Sequence, residues 1–425
     1  MNQKNLNPVT HVKGSINLPG SKSITNRILL MSALCNGQTI IKNPLKSDDT
    51  SHMLEALKLL GLSIQEEKNN LLIQGCNQIF PNLNTKLFLG NAGTAFRPLT
   101  AVLSVMNGSY EVFGVSRMHE RPIKDLVDAL HQMGAKIEYL KNSGFPPIKI
   151  LPSNISCRTP IKIKGDVSSQ FLTALLMACP LTNQDITIEV EGDLISKPYI
   201  DITLKLLQKY SIHYENLDWK VFRLNKGSCY VSPGEIWVEG DASSASYFFA
   251  AGAILGNIEV HGINANSIQG DLKFLNVIKE MGAEIEYLEN SIKVKHHEKL
   301  KGLTIDCKEI PDAAMTLAVM AIFSEGETCL KNIGSWRVKE TDRIYAMETE
   351  LKKIGANVKS TEDSITITPP LSINDNVIID TYDDHRMAMC FSLITLANKT
   401  VIINDPECVN KTYPKFFKDF ELITA

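Results

Sequence analysis

One hydrophobic pattern recurs six times along this chain. In each copy a turn rich in Ser, Asp, Gly or Pro opens directly into an apolar, alanine-rich run: ITNRILLMSAL, AFRPLTAVLSV, QFLTALLMA, SASYFFAAGA, AAMTLAVMAI and HRMAMCFSLI. The turns begin at Ser21, Gly93, Ser168, Asp241, Asp312 and Asp384, spaced 72, 75, 73, 71 and 72 residues apart. Spacing that even marks an internal repeat. The runs are apolar on nearly every face, so they are predicted to be buried helices. A β-rich segment follows (QTIIKN, TIEVEG, NIEVHG, VIIND), then an amphipathic second helix. That helix often stops at a glycine, and Gly61, Gly134, Gly282 and Gly355 are the expected C-caps. Alternating strands such as AKIEYL and AEIEYLENSIKV close the unit. The unit is thus strand, helix, strand, helix, strand, strand.

Three units per domain predict a first domain over residues 21–239 and a second, discontinuous domain over 1–20 plus 240–425. The last copy runs out of chain, so the extended stretch 9–18 is expected to supply its strands from the other end. The crossings at Pro19-Gly20 and Glu239-Gly240 are the expected hinges.

Composition narrows the function. Hydrophobic residues make up 44% and charged residues 21% of the 425 positions, as in ordinary globular proteins, and the net charge is −3. No global basic field exists to hold nucleic acid or an anionic membrane, so any anion site has to be local. The nine cysteines are scattered and never form a CxxC pair, which argues for reduced thiols and against zinc; no metal or cofactor is expected. The opening residues lack the apolar stretch of a signal peptide and no long apolar run occurs, so the expected location is the cytoplasm. A monomer is expected, though no pattern in the sequence fixes the oligomeric state.

The repeat itself builds a local anion site. Helices related by rotation run parallel and aim their N-termini at one surface, where unpaired N–H groups and partial positive charge favour anions. The first-helix starts carry Ser21, Lys22, Ser23 and Arg27, then Asn91, Gly93, Thr94 and Arg97, then Ser168, Ser169 and Gln170, then Asp312, then His385 and Arg386. The second-helix starts carry Asp48, Asp49, Arg121, Ser196, Tyr199, Lys339, Glu340, Arg343 and Lys411. Any one Ser or Asp here reads most simply as an N-cap. Six cations (Lys22, Arg27, Arg121, Arg343, Arg386, Lys411) do not, because a helix N-terminus disfavours positive charge unless an anion offsets it. The segment GSINLPGSKS looks loosely like a phosphate-binding P-loop, but Ser21 separates Gly20 from Lys22, and an ATPase reading loses its support.

The segments LPGSKSITNR, LGNAGTAFRPL, RMHERPI, GDVSSQF, SKPYID, WRVKETDR, DDHRMAM and KTYPKFF together resemble the 5-enolpyruvylshikimate-3-phosphate synthases, in order and across both domains. The resemblance implies a two-domain inverse α/β barrel of six βαβαββ units, with the active site in the cleft. It implies transfer of the enolpyruvyl group of phosphoenolpyruvate to the 5-hydroxyl of shikimate 3-phosphate, by addition and then elimination of phosphate. Shikimate 3-phosphate would be held by Lys22, Ser23, Arg27, Ser168, Ser169, Gln170, Ser196, Tyr199, Asp312, Ser335 and Lys339. Phosphoenolpyruvate would lie against Lys22, Gly93, Arg121, Gln170, Arg343, Arg386 and Lys411. Asp312 is implied as the base at the hydroxyl and Glu340 as the proton donor at C3, with Lys22 assisting at the bridging oxygen; without the resemblance, Asp312 reads equally as a cap and Glu340 as a capping-box member. His385 reads as a proton shuttle or a structural histidine. The segments GSKS and SSQF with Gly93, Thr94 and Pro98 resemble the glyphosate-sensitive group of the family, so competition between glyphosate and phosphoenolpyruvate is expected.

Two positions depart from the family pattern. Ser335 stands where asparagine precedes WRVKETDR, and Asp383 stands where asparagine precedes DHR, adding a negative charge beside the anion site. The related transferase acting on UDP-N-acetylglucosamine carries a reactive cysteine in the loop matching FGVSRMHER, which has none. A non-catalytic anion-binding or nucleic-acid-binding repeat protein needs basic, aromatic-interleaved surfaces and no acids. Here Asp312 and Glu340 sit among the cations, and the start at Asp241 has no cation.

Overall fold

The computed structural model describes residues 2–157 and 160–424; the expected domain limits at Met1 and Ala425 lie outside the described residues. The described residues form twelve α-helices: α1 (Lys22–Leu34), α2 (Asp48–Leu59), α3 (Gly93–Ser104), α4 (Lys124–Gln132), α5 (Ser169–Ala178), α6 (Lys197–Lys209), α7 (Ala242–Leu255), α8 (Phe274–Met281), α9 (Ala314–Met320), α10 (Arg343–Ile354), α11 (His385–Phe391) and α12 (Phe416–Thr424). Odd-numbered helices are the apolar first helices of each repeat. α1 buries every residue except Ser23, and α7 every residue except Leu255, as expected of helices with no polar face. Even-numbered helices are amphipathic; α2 buries Asp49, Thr50, Met53, Ala56 and Leu57 and exposes the opposite side. Gly282 (φ 121°) and Gly355 (φ 107°) end α8 and α10 in the left-handed region, where a Cβ would be strained.

The strands form five four-stranded sheets and one three-stranded sheet among the described residues. The third repeat shows the pattern. Ile161–Lys164 runs parallel to Ile186–Glu191, which pairs antiparallel with Val221–Leu224, itself antiparallel to Tyr214–Leu217. The parallel step needs a crossover, and α5 supplies it.

Strand sharing departs from the expected assignment. Glu235–Trp237 leaves the fourth repeat and pairs with Gln38–Lys42 of the first. The fourth repeat therefore takes its opening strand from Val12–Asn17, which runs parallel to Gly256–His261. A Cβ on Gly256 would lie 1.9 Å from the Val12 carbonyl oxygen, so glycine is what permits this approach. The expectation that stretch 9–18 completes the last copy is thus corrected: Gln3–Leu6 does so, antiparallel to Val401–Asn404. The parallel slot beside Gly256–His261 had no strand of its own, and 12–17 fills it.

The chain divides into two compact units, one spanning Gly20–Val238 and the other made of residues up to Pro19 together with those from Glu239 onward. In the first unit α1 and α5 both pack against α3. In the second α7 and α11 both pack against α9 within one continuous hydrophobic core.

Candidate functional site

In the first unit the helix starts converge. Asn26 of α1 donates through Nδ2 to Thr94 Oγ1 of α3 at 2.8 Å. A methyl group built on Gly93 would lie 2.9 Å from Arg121 Nη2, 2.9 Å from Arg97 Nη1 and 3.1 Å from Gln170 Oε1, so the ends of these three side chains meet where α3 begins and would have to shift for any larger residue. Lys22, Arg27, Arg97 and Arg121 are all buried. Lys22 Nζ stands 3.4 Å from Asp49 Oδ2, at the first turn of α2. Arg27 donates to Thr203 Oγ1 (2.8 Å), Ser23 O (2.8 Å) and Tyr199 O (3.2 Å). Burial lowers its pKa to about 10, with Tyr199 acting in the opposite direction. Arg121, just after the short helical turn Ser116–Glu120, donates through Nη1 to Asn91 O (3.0 Å) and Asn91 Oδ1 (2.9 Å), while its buried Nε meets no acceptor among the described residues. Ser168 caps α5, its Oγ accepting from Gln170 N at 3.2 Å, and Ser169 is the first residue of that helix. Ser196, the N-cap of α6, holds a left-handed backbone at φ 53°, a strain of the kind that clusters at functional positions.

The second unit gathers acids with its cations. Arg343 opens α10 and is nearly inaccessible. It donates to Asp312 Oδ1 (2.9 Å), Glu340 Oε2 (2.9 Å) and Asp384 Oδ2 (2.7 Å). Arg386 donates to Asp312 Oδ2 (3.0 Å) and to Tyr247 Oη of α7 (3.1 Å). Lys339 Nζ lies 3.6 Å from Asp312 Oδ1. Burial pushes the Asp312 carboxyl up, but Arg386, Lys339 and Arg343 outweigh it and hold the carboxyl well below its ordinary value. Burial likewise works against the Arg343 charge, and Asp384, Glu340 and Asp312 more than offset it. The indole of Trp336 donates to Pro311 O at 2.6 Å, fixing the residue before Asp312. Ser335 sits beside that tryptophan in the turn Gly334–Val338. Lys411 is buried at the end of the turn Pro406–Lys411, and it opposes the rise that burial causes in the Asp383 carboxyl.

The capping alternatives for the two acids do not hold. Ala313 precedes α9 with no side-chain cap, and the Asp312 carboxylate goes to cations instead. Asp342 caps α10 through Tyr345 N, leaving Glu340 to Arg343. Ser168 and Asp384, by contrast, do cap their helices. His385 is fully buried, with Nδ1 3.5 Å from Asp384 Oδ1.

Several residues without an assigned role join the two clusters. Asn91 and Arg97 stand at a predicted helix start and flank Arg121 and Gly93. Asp384 is visible in the sequence only as a cap, and Tyr247 as one aromatic in an apolar run. An arginine inside the apolar run AFRPLTAVLSV, one helical turn after Gly93, was the available signal for Arg97. Among the described residues, no group of three or more His, Cys, Asp or Glu side chains is placed to hold a metal ion, and no helix is long and apolar enough to cross a membrane.

Comparison with known proteins adds an independent line. The family model described as EPSP synthase (3-phosphoshikimate 1-carboxyvinyltransferase) matches residues 6–420. The chain is 52% identical over 432 residues to a 3-phosphoshikimate 1-carboxyvinyltransferase of Paraburkholderia phymatum, and 53% identical over 434 residues to that of Cupriavidus necator, covering 100% of both chains in each case. Its fold is similar to that of the EPSP synthase from Acinetobacter baumannii, with TM-score 0.83 and 25% identity over 99% of this chain and 98% of that one. The enolpyruvyl transferase NikO from Streptomyces tendae shares the fold at TM-score 0.75 and 13% identity, covering 99% and 96% of the two chains.

Proposed function

The chain belongs to the EPSP synthase (3-phosphoshikimate 1-carboxyvinyltransferase) family, and from that premise we propose how its two clusters divide the work of the reaction. Members of this family join phosphoenolpyruvate to shikimate 3-phosphate, and the fold here is the inverse α/β barrel pair of enolpyruvyl transferases. The observation that carries the division is the single guanidinium of Arg343 bonded to three carboxylates, two of which are the candidate base and acid.

In this reading Lys22, Ser23, Arg27, Ser168, Ser169, Gln170, Ser196 and Tyr199 hold shikimate 3-phosphate from the first unit; Asp312, Ser335 and Lys339 hold it from the second. Lys22, Gly93, Arg121, Gln170, Arg343, Arg386 and Lys411 hold phosphoenolpyruvate. Guanidinium groups suit its carboxylate and phosphate because they donate in a planar fork. The 5-hydroxyl oxygen attacks C2 as its proton passes to Asp312, and Glu340 delivers a proton to C3. In the second stage the C2–O bond to phosphate breaks, C3 gives up a proton, and the double bond re-forms.

The depressed Asp312 pKa makes it a weak base in the unliganded protein. An anion that engages Arg386, Arg343 and Lys339 cancels the field responsible, so substrate binding restores basicity where it is used. The protein acts as a cytoplasmic monomer, and glyphosate competes with phosphoenolpyruvate at the Gly93, Arg121 and Lys411 positions.

The direct test is phosphate release from purified protein given both substrates. Release that requires shikimate 3-phosphate and is inhibited by glyphosate in competition with phosphoenolpyruvate supports the reading. Release with UDP-N-acetylglucosamine in its place overturns it.

A further inference from the structure

Helix α10 grips the segment 378–384 at two places two turns apart. At its first residue Arg343 holds Asp384. Seven residues on, Glu350, with no exposed surface, accepts from Asp380 N (3.1 Å), Tyr382 Oη (2.7 Å) and Lys353 Nζ (2.8 Å). Lys353 in turn donates to Asp380 Oδ2 (2.7 Å) and Ile378 O (3.3 Å). Residues seven apart on a helix share a face, so one side of α10 carries both grips.

The gripped segment is strained. Tyr382 and Asp383 are consecutive non-glycine residues in the left-handed region, each at φ 55°. Such a pair persists only where its surroundings impose it. The turn closes with Asp384 N donating to Thr381 O at 2.8 Å, and it sets the direction of the Asp384 carboxylate. That carboxylate caps α11 through Arg386 N (2.9 Å) and binds the Arg343 guanidinium. The turn therefore governs the aim of two arginines at once. A carboxylate as deeply buried as Glu350 is costly unless it is fully bonded, and two of its bonds run to Asp380 and Tyr382, at the entry to the turn and within it.

We propose that Glu350 and Tyr382 are positioning residues that hold the strained turn 381–384 and thereby aim Arg343 and Arg386 at the phosphoenolpyruvate anion. The inference rests on the assignment of those two arginines to phosphoenolpyruvate. Tyr382→Phe removes one hydrogen bond and little packing; Glu350→Gln weakens all three.

The experiment measures KM for each substrate, kcat and thermal midpoint in the wild type, Y382F, E350Q and R386K. For Y382F the expected result is a rise of about tenfold in KM for phosphoenolpyruvate, the scale of one buried hydrogen bond. KM for shikimate 3-phosphate is expected to stay within about twofold, with E350Q more severe in the same direction. A KM for phosphoenolpyruvate unchanged in Y382F while R386K raises it overturns the positioning role alone. Both KM values moving together with a fallen thermal midpoint also overturns it, since that marks a merely structural bond. No effect of R386K on that KM overturns the arginine assignment and the inference with it.

Discussion

Arg27 and Arg121 in the first unit are held by backbone carbonyls, a threonine hydroxyl and an asparagine side chain, whereas Arg343 in the second is ringed by the carboxylates of Asp312, Glu340 and Asp384. Neutral acceptors orient a cation without cancelling it. Burial then costs the cation some of its basicity, as the Arg27 pKa of about 10 shows, and an incoming anion recovers that cost. Carboxylates instead neutralise the cation and are themselves held ionised, as with Asp312. The first arrangement suits affinity for polyanions. The second suits holding proton-transfer groups at fixed positions, and under the proposed roles Arg343 would serve as much to place acids as to bind substrate.

The largest expected effect lies on the acid side. Asp312→Asn is expected to lower turnover by about 10²–10⁴, the range for a lost general base. Steady-state assays at saturating substrate check this. A loss confined to KM would move Asp312 into the binding group.

Truncating the two arginines contrasts the units in stability. Arg343→Ala takes a shared cation from three buried carboxylates, of which Asp312 keeps Arg386 and Lys339 and Asp384 keeps Arg386 N, and is expected to cost about 3–5 kcal/mol. Arg121→Ala strands neutral acceptors and is expected to cost about 1–2 kcal/mol. Urea unfolding of both variants gives the comparison, and equal losses would erase the distinction.

Gly93→Ala places a methyl group 2.9 Å from both Arg121 Nη2 and Arg97 Nη1. It is expected to raise KM for phosphoenolpyruvate about tenfold, roughly 1.4 kcal/mol, without shifting KM for shikimate 3-phosphate. A shift in both would show that the patch serves the two substrates in common.

The smallest effect concerns Asp383, whose carboxyl burial pushes up despite Lys411. Below that raised pKa the group is neutral; above it the charge repels an anionic substrate. KM for phosphoenolpyruvate is expected to rise as pH climbs past the ordinary carboxylate value of about 3.9 and through the raised one. Asp383→Asn should flatten that rise, and an unchanged profile would place the titration elsewhere.

The repeat was legible because a buried helix must be apolar all round, and six such runs at even spacing leave a strong periodic signal. Lys22, Arg343 and Arg386 were legible for the opposite reason, since at helix starts they contradict the local dipole; Arg27, in the second turn of α1, and Arg121 and Lys411, at the ends of short helical turns, do not stand at the starts expected of them. Strand partners were not legible: 3–6 and 12–17 are both short and extended, and which sheet each completes depends on slots left open more than 200 residues away. Nor did local pattern separate Asp384, a true cap, from Asp312, which caps nothing. Both look alike before an alanine-rich or methionine-rich run, and both reach Arg343; what separates them is that Asp384 accepts from Arg386 N whereas Asp312 turns to the side chains of Arg386 and Lys339. Glu350 reads as one more charge on an amphipathic helix, because its partners lie about 30 residues ahead.

The most direct measurement of the division between binding and chemistry is a rapid-quench single turnover of Arg121→Lys and Glu340→Gln, with phosphoenolpyruvate raised to saturation. The first variant is expected to approach the wild-type rate once saturated. The second is expected to stay about 10² or more below it at every concentration. A Glu340→Gln enzyme that recovers at high phosphoenolpyruvate, or an Arg121→Lys enzyme that does not, would contradict the assignment of Arg121 to binding and of Glu340 to proton transfer.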